Sequence, residues 1–234
     1  SMTQLSVIAP APYDVYDSVS LAKVLKSKAK FNDFHKILSE HMEGAWDNVR
    51  LVCTTCKQYE KLQGMVFDEI GRTTGKDPAA TCADILRKDA VGAMAAFRGM
   101  SPDNLMRIIM EPIVSCGSDE SARPADYSIG RSHPRGFGSF PLFYRMLEDR
   151  LGIEEVVRKM TSLPANVFNL KRRGLLVPGH IADMVLFDPA KFDSKAGFAN
   201  PHKICTGVDK VWVGGKLSYA DGKCQERNGS FLKV

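Results

Sequence analysis

Apolar positions along this chain alternate between helical and strand-like spacing, and the changes outline its elements. Leu21, Val24, Leu25, Phe31, Phe34, Ile37 and Leu38 recur at helical spacing. They predict an amphipathic helix from Ser20 to Glu43 with an interruption near Phe31-Asn32-Asp33. The first 18 residues, with prolines at 10 and 12, read as an irregular entry. Val49–Thr55 is rich in branched residues and reads as a strand. Met65, Val66 and Ile70 give a helical pattern over Gly64–Gly71, and Asp77-Pro78 opens a further helix to about Lys88, because Asp caps and Pro suits a first turn. Val91–Phe97 is a candidate strand, and Ser101-Pro102-Asp103 starts a helix ending near Met110. Ile113–Asp119 reads as a short buried strand followed by a long loop. Helices are expected from Ser139 or Phe140 to Leu151, over Ile153–Met160, and over Pro164–Leu170.

After Arg173 the pattern becomes short apolar runs separated by Gly-Gly and Asp-Gly turns, which is the grammar of hairpins. The expectation is an α/β chain with a boundary there, residues 1–173 forming one unit and 174–234 a small β-rich one.

Composition adds few constraints. The chain has 234 residues, a formal charge of +5 and no low-complexity tract. Acids and bases are mixed, so neither nucleic acid nor membrane is an expected partner. No apolar run approaches the roughly 18 residues of a span, and SMTQLSVIAPAP lacks the basic start of a signal peptide. Ser1-Met2 reads as a cleavage scar before a cloned methionine. Cys53, Cys56, Cys82, Cys116, Cys205 and Cys224 are scattered and read as reduced thiols, so a cytoplasmic location is expected.

Candidate chemistry centres on Asp119, an acid after Gly117-Ser118 at the end of an apolar run. It is either a catalytic group or a turn aspartate bonding nearby amides. His133-Pro134-Arg135-Gly136 sets an imidazole and a guanidinium in a loop, where function concentrates. Ser118, Asp119 and His133 have the types of a hydrolase triad, without a nucleophile elbow. Cys53 and Cys56 have the spacing of a zinc knuckle or redox pair, but no second ligand pair follows. His35 and His41 are six apart and do not share a helix face.

Taken in order, several segments resemble the C-terminal part of the D-aminoacylase (N-acyl-D-amino-acid deacylase) branch of the amidohydrolase superfamily. They are residues 50–71, GSD at 117–119, HPRGFGSFP at 133–141, residues 154–176, PGHIADMVLFDP at 178–189, FANP at 198–201 and VWVGGKLSYADG at 211–222. The resemblance implies the C-terminal part of a metal-dependent (β/α) barrel plus a small β-rich unit. The implied reaction is hydrolysis of N-acyl-D-amino acids by zinc-activated water. Asp119 matches the proton-shuttling aspartate, and Arg50 matches the arginine on the substrate carboxylate. His133 and Arg135 match a segment near the substrate.

Two departures accompany the resemblance. Glu120 stands where the family has Gly, and the family's His-x-His, bridging Cys and two further histidines have no counterpart. A complete barrel needs about 250 residues, so the expectation is a fragment, inactive alone, with zinc belonging to the complete enzyme and none bound to this chain. Its expected partners are a small N-acyl amino acid and either the missing N-terminal barrel part or another copy of itself. The alternatives are a non-catalytic module that self-associates or binds a partner, and a zinc or redox protein using Cys53 and Cys56.

Overall fold

The computed structural model describes residues 2–232. The chain divides into two compact units: the first runs to Gly99 and includes Ile129–His133, and the second comprises Met100–Ser128 and everything from Pro134 onward.

The first unit carries strand β1 (Met2–Gln4), helices α1 (Ser18–Val24) and α2 (Lys28–His41), strand β2 (Val49–Cys53), helices α3 (Phe67–Thr74) and α4 (Pro78–Asp89), and strand β3 (Met94–Phe97). Its sheet runs β1-β3-β2, with both pairings antiparallel. β1 lies within the stretch expected to be irregular; it exists because β3 offers it a ladder edge. The helical break falls at Leu25–Ser27 and not near Phe31. Asn32 and Asp33 stay helical because Phe34 and Leu38 are fully buried one turn apart and Asp33 accepts a 2.8 Å hydrogen bond from the Tyr13 hydroxyl. α4 begins as expected: Asp77 accepts from the amides of Ala79 and Ala80 at 3.3 and 3.0 Å, with Pro78 in the first turn.

Asp89 at the end of α4 is a buried carboxylate that is fully occupied. It accepts from the Thr54 hydroxyl (2.5 Å), the Thr55 amide and hydroxyl (2.6 and 2.8 Å) and the Gly92 amide (3.2 Å). Satisfied this way, a buried acid fastens the end of β2 to the end of α4 without the cost of an unpaired charge.

The second unit holds α5 (Pro102–Met110), α6 (Arg135–Leu151), α7 (Ile153–Met160), α8 (Ser162–Val167) and strands β4 (Met184–Phe187), β5 (Val208–Val213), β6 (Lys216–Ala220) and β7 (Lys223–Cys224). The strands form an antiparallel meander in chain order. Gly214-Gly215 and Asp221-Gly222 turn it with φ of 57°, 80°, 52° and 75°. Two consecutive positive φ values are what a two-residue hairpin turn requires, and Gly supplies them without steric penalty. The core sets Phe143, Tyr144 and Leu147 of α6 against Val156, Ile109 and Phe192. Tyr144 meets Phe187 and Phe192 edge-on at 5.8 and 5.4 Å.

Three sequence expectations need correction here. Ile113–Asp119 is not a strand: among the described residues no strand pairs with it, and an extended segment without a ladder partner is irregular backbone. α6 starts at Arg135, inside the stretch read as loop, because its buried face outweighs Gly136, Gly138 and Pro141. GLLVPGH, at 174–180, is turn and coil. The change from helix to strand near residue 173 lies inside the second unit. Both sheets are antiparallel among the described residues.

Candidate active site

The segment leading to Asp119 is tied down at its start. Arg158 donates to the Pro112 carbonyl at 2.8 Å and holds Glu155 at 2.7 Å. Lys159, fully buried, donates through Nζ to the Glu111 carbonyl, while its own carbonyl accepts from the Cys116 amide at 3.2 Å. Burial pushes the Lys159 ammonium below its ordinary pKa. The last turn of α7 therefore fixes where residues 111–116 run.

Beyond this anchor the chain reaches Asp119 with φ at 49°, a left-handed conformation that Asp tolerates better than most residues. Its carboxylate is 90% exposed and meets Arg135 Nη1 at 2.9 Å. Arg135 Nε lies 3.5 Å from Glu120 Oε2, and Arg123 Nε lies 3.3 Å from Glu120 Oε1. Glu120 is the covered member, with 9% of its side chain exposed. So the sequence ASP-GLU does not simply stack two negative charges: the chain curls so that Arg135 faces both acids and Arg123 closes on the second. Gly136 makes room, since a Cβ there would come within 2.7 Å of the Glu120 Cγ.

His202, far along the chain from these groups, is not among the residues the sequence points to. It is buried, stacked on Tyr127 at 4.2 Å and 6°, and on Phe137 at 4.9 Å and 21°. Phe137 sits two residues after Arg135 in the first turn of α6, so this aromatic stack packs the helix start. The signal was present: His202 follows directly on Phe198-Ala199-Asn200-Pro201.

Of the expected site residues, the structure brings together Asp119 and Arg135. Arg50 and His133 belong to the first unit. Arg50 is on β2, opposite Ala96, and donates to the Gly64 carbonyl. His133 is half-buried, and its carbonyl accepts from the Ser132 hydroxyl at 3.4 Å. Cys53 and Cys56 are half-buried and not joined in a disulfide. Among the described residues no group of three or more His, Cys, Asp or Glu side chains is arranged to hold a metal ion. Among the described residues the donor set of a zinc centre is not assembled. No helix among the described residues is long and apolar enough to cross a membrane.

A pair of exposed and covered carboxylates around one guanidinium is suited to moving a proton beside an anionic ligand. Comparison with known proteins gives the family. The amidohydrolase family profile matches residues 46–219. The chain is 34% identical over 184 residues to N-acyl-D-aspartate deacylase of Alcaligenes xylosoxydans xylosoxydans, covering 77% of this chain and 34% of that one. It is 33% identical over 169 residues to D-aminoacylase of the same organism, covering 71% of this chain and 33% of that one. Among solved structures, a D-aminoacylase superposes with a TM-score of 0.60 at 30% identity, over 76% of this chain and 36% of that one. N-acyl-D-glutamate deacylase from Bordetella bronchiseptica, complexed with zinc and a phosphonate inhibitor, gives 0.62 at 29% identity, over 82% and 39%.

The chain belongs to the amidohydrolase family. It spans about a third of the length of the curated relatives it matches.

Proposed function

We propose that this chain supplies the acid–base end of an N-acyl-D-amino-acid deacylase, which hydrolyses the amide C–N bond. The observation that carries this reading is the ion pair between Asp119 and Arg135, lying within the family match. In the proposed step the Asp119 carboxylate takes a proton from the attacking water and returns it to the leaving amine. Both transfers need only an exposed carboxylate within hydrogen-bond reach of the reacting atoms. Arg135 orients that carboxylate and offers charge to the substrate carboxylate. Arg50 and His133 are proposed substrate contacts, each to be tested by its own substitution. Zinc accompanies a relative's structure; the proposed step here is confined to this chain's own groups, because among the described residues the donor set of a metal centre is not assembled.

The proposed organisation is 1–173 as part of an amidohydrolase barrel and 174–234 as a small β-rich domain. Activity would then depend on a polypeptide supplying the rest of that fold, or on self-association. An apolar groove in the second unit favours such a partner. It encloses about 1000 Å³ between α6, α7 and β4, with Leu176, Val185 and Ile204 at its exposed rim. If this association is all the chain does, the protein is a binding module.

The test is release of D-amino acid from N-acetyl-D-amino acids, by the chain alone and co-expressed with an amidohydrolase N-terminal region. D-selective turnover that Asp119→Asn removes supports the reading. Turnover unchanged by Asp119→Asn rejects the residue assignment, and no turnover in either preparation leaves the binding-module reading.

A further inference from the structure

Arginine recognises a carboxylate through its planar fork, and an arginine already holding acids on its own chain has less of that fork to give. Arg135 is in this position twice over. Its Nη1 meets Asp119 at 2.9 Å and its Nε faces Glu120 Oε2 at 3.5 Å. The second contact is too long for a short hydrogen bond, so it occupies the guanidinium edge without locking it. Glu120 is kept there by Arg123 at 3.3 Å and by its own burial. Gly136 is the residue whose missing side chain leaves Glu120 its place, because a Cβ would approach Glu120 Cγ to 2.7 Å.

We infer that Glu120 is an internal stand-in for a ligand carboxylate, holding the Nε edge of Arg135 until a small carboxylate-bearing molecule displaces it. The inference rests on the reading of Arg135 as a substrate-carboxylate contact. Glu120 is then a positioning and specificity residue that acts through Arg135. It weakens binding of any carboxylate and opposes ligands carrying a second one, since displaced Glu120 stays nearby as a like charge.

The same ionic contacts also fit a plain structural clasp, in which Glu120 only pins the loop to α6. The two roles differ in sign. A clasp that is broken loosens the site and lowers affinity; a stand-in that is removed frees a guanidinium edge and raises it.

The experiment is calorimetric titration of the 234-residue chain with N-acetyl-D-alanine and, separately, N-acetyl-L-alanine. Wild type, Glu120→Gln, Gly136→Ala and Glu120→Gln/Arg135→Gln are compared, with thermal midpoints recorded. Glu120→Gln is expected to bind the probe roughly tenfold more tightly than wild type, the gain of one charge-assisted carboxylate contact. Gly136→Ala displaces Glu120 without removing its charge, so it is expected to show a smaller gain in the same direction. The gain is expected to vanish in the double variant. Unchanged or weaker binding by Glu120→Gln and Gly136→Ala overturns the inference, as does a gain that survives loss of Arg135. If Glu120→Gln does not fold, Gly136→Ala decides alone. A gain equal for both enantiomers upholds the role of Glu120 while counting against the D-amino-acid reading, so the two ideas fail separately.

Discussion

At the scale of single residues, the Asp119 region shows how far chemistry follows from neighbours. Asp119 and Glu120 are adjacent acids, but one is exposed and the other covered, and Arg135 touches both. In a preparation with measurable deacylase turnover, Asp119→Asn is expected to lower kcat by roughly 10²–10⁴-fold while preserving the circular dichroism spectrum. A variant retaining full kcat would remove Asp119 from the mechanism. Lys159 gives a second, independent prediction. Burial lowers its folded pKa below the ordinary value of 10.5. Between those two values the unfolded chain binds more protons, so stability rises with pH across that window and the charged form is the penalised one. Cys82, Cys116 and Cys205, whose thiols burial pushes up, contribute the opposite slope in both proteins, so the Lys159 part is read as a difference. The urea midpoint of wild type minus that of Lys159→Met is expected to rise as pH increases towards 10.5. Parallel curves for the two proteins would show that Lys159 does not titrate differently on unfolding.

At the scale of elements, caps and turns were legible because they are written in adjacent residues. Asp77-Pro78 and Ser101-Pro102 both start helices, and Ser101 accepts from the Asn104 amide at 3.2 Å. Asp77→Ala is expected to cost about 1 kcal/mol through loss of the cap. Burial alone would raise the Asp77 carboxyl, but bonds from His35 and from the amides of Ala80 and Ala79 outweigh it and hold the pKa below its usual value. The stability this group contributes is therefore complete above the unfolded value of 3.8 and is lost as pH falls through the lower folded value. An acid titration followed by far-ultraviolet circular dichroism is expected to show a smaller acid-side loss in Asp77→Ala than in wild type. Elements that depended on distant partners were not legible. Ile113–Asp119 has strand-like composition without a neighbour to pair with, and α6 contains Gly136, Gly138 and Pro141 yet forms through burial of Phe143, Tyr144 and Leu147.

For the whole molecule, the relevant features are the two compact units and the apolar surface of the second. Leu176 is 80% exposed at the groove rim, with Leu175, Val185 and Ile204 also uncovered. A contiguous apolar surface of this sort marks an interaction site more often than a solvated face. Sedimentation at rising concentration is expected to show association, and Leu176→Glu is expected to reduce it. A chain that stays monomeric throughout would count against partner binding through this groove.

Family membership and the residue types of the candidate site were readable from local words such as GSD, HPRGFG and VWVGGKLSYADG, because short motifs need only their own order in the chain. Hairpin turns and helix caps were readable for the same reason. What the tertiary structure alone decided was pairing: that β1 completes a sheet with β3, that the segment before Asp119 has no strand beside it, and that Glu120 folds under two arginines instead of adding free charge. Each of these depends on which surfaces and charges meet across long stretches of chain, and contacts of that kind leave no periodic trace in the residues that make them.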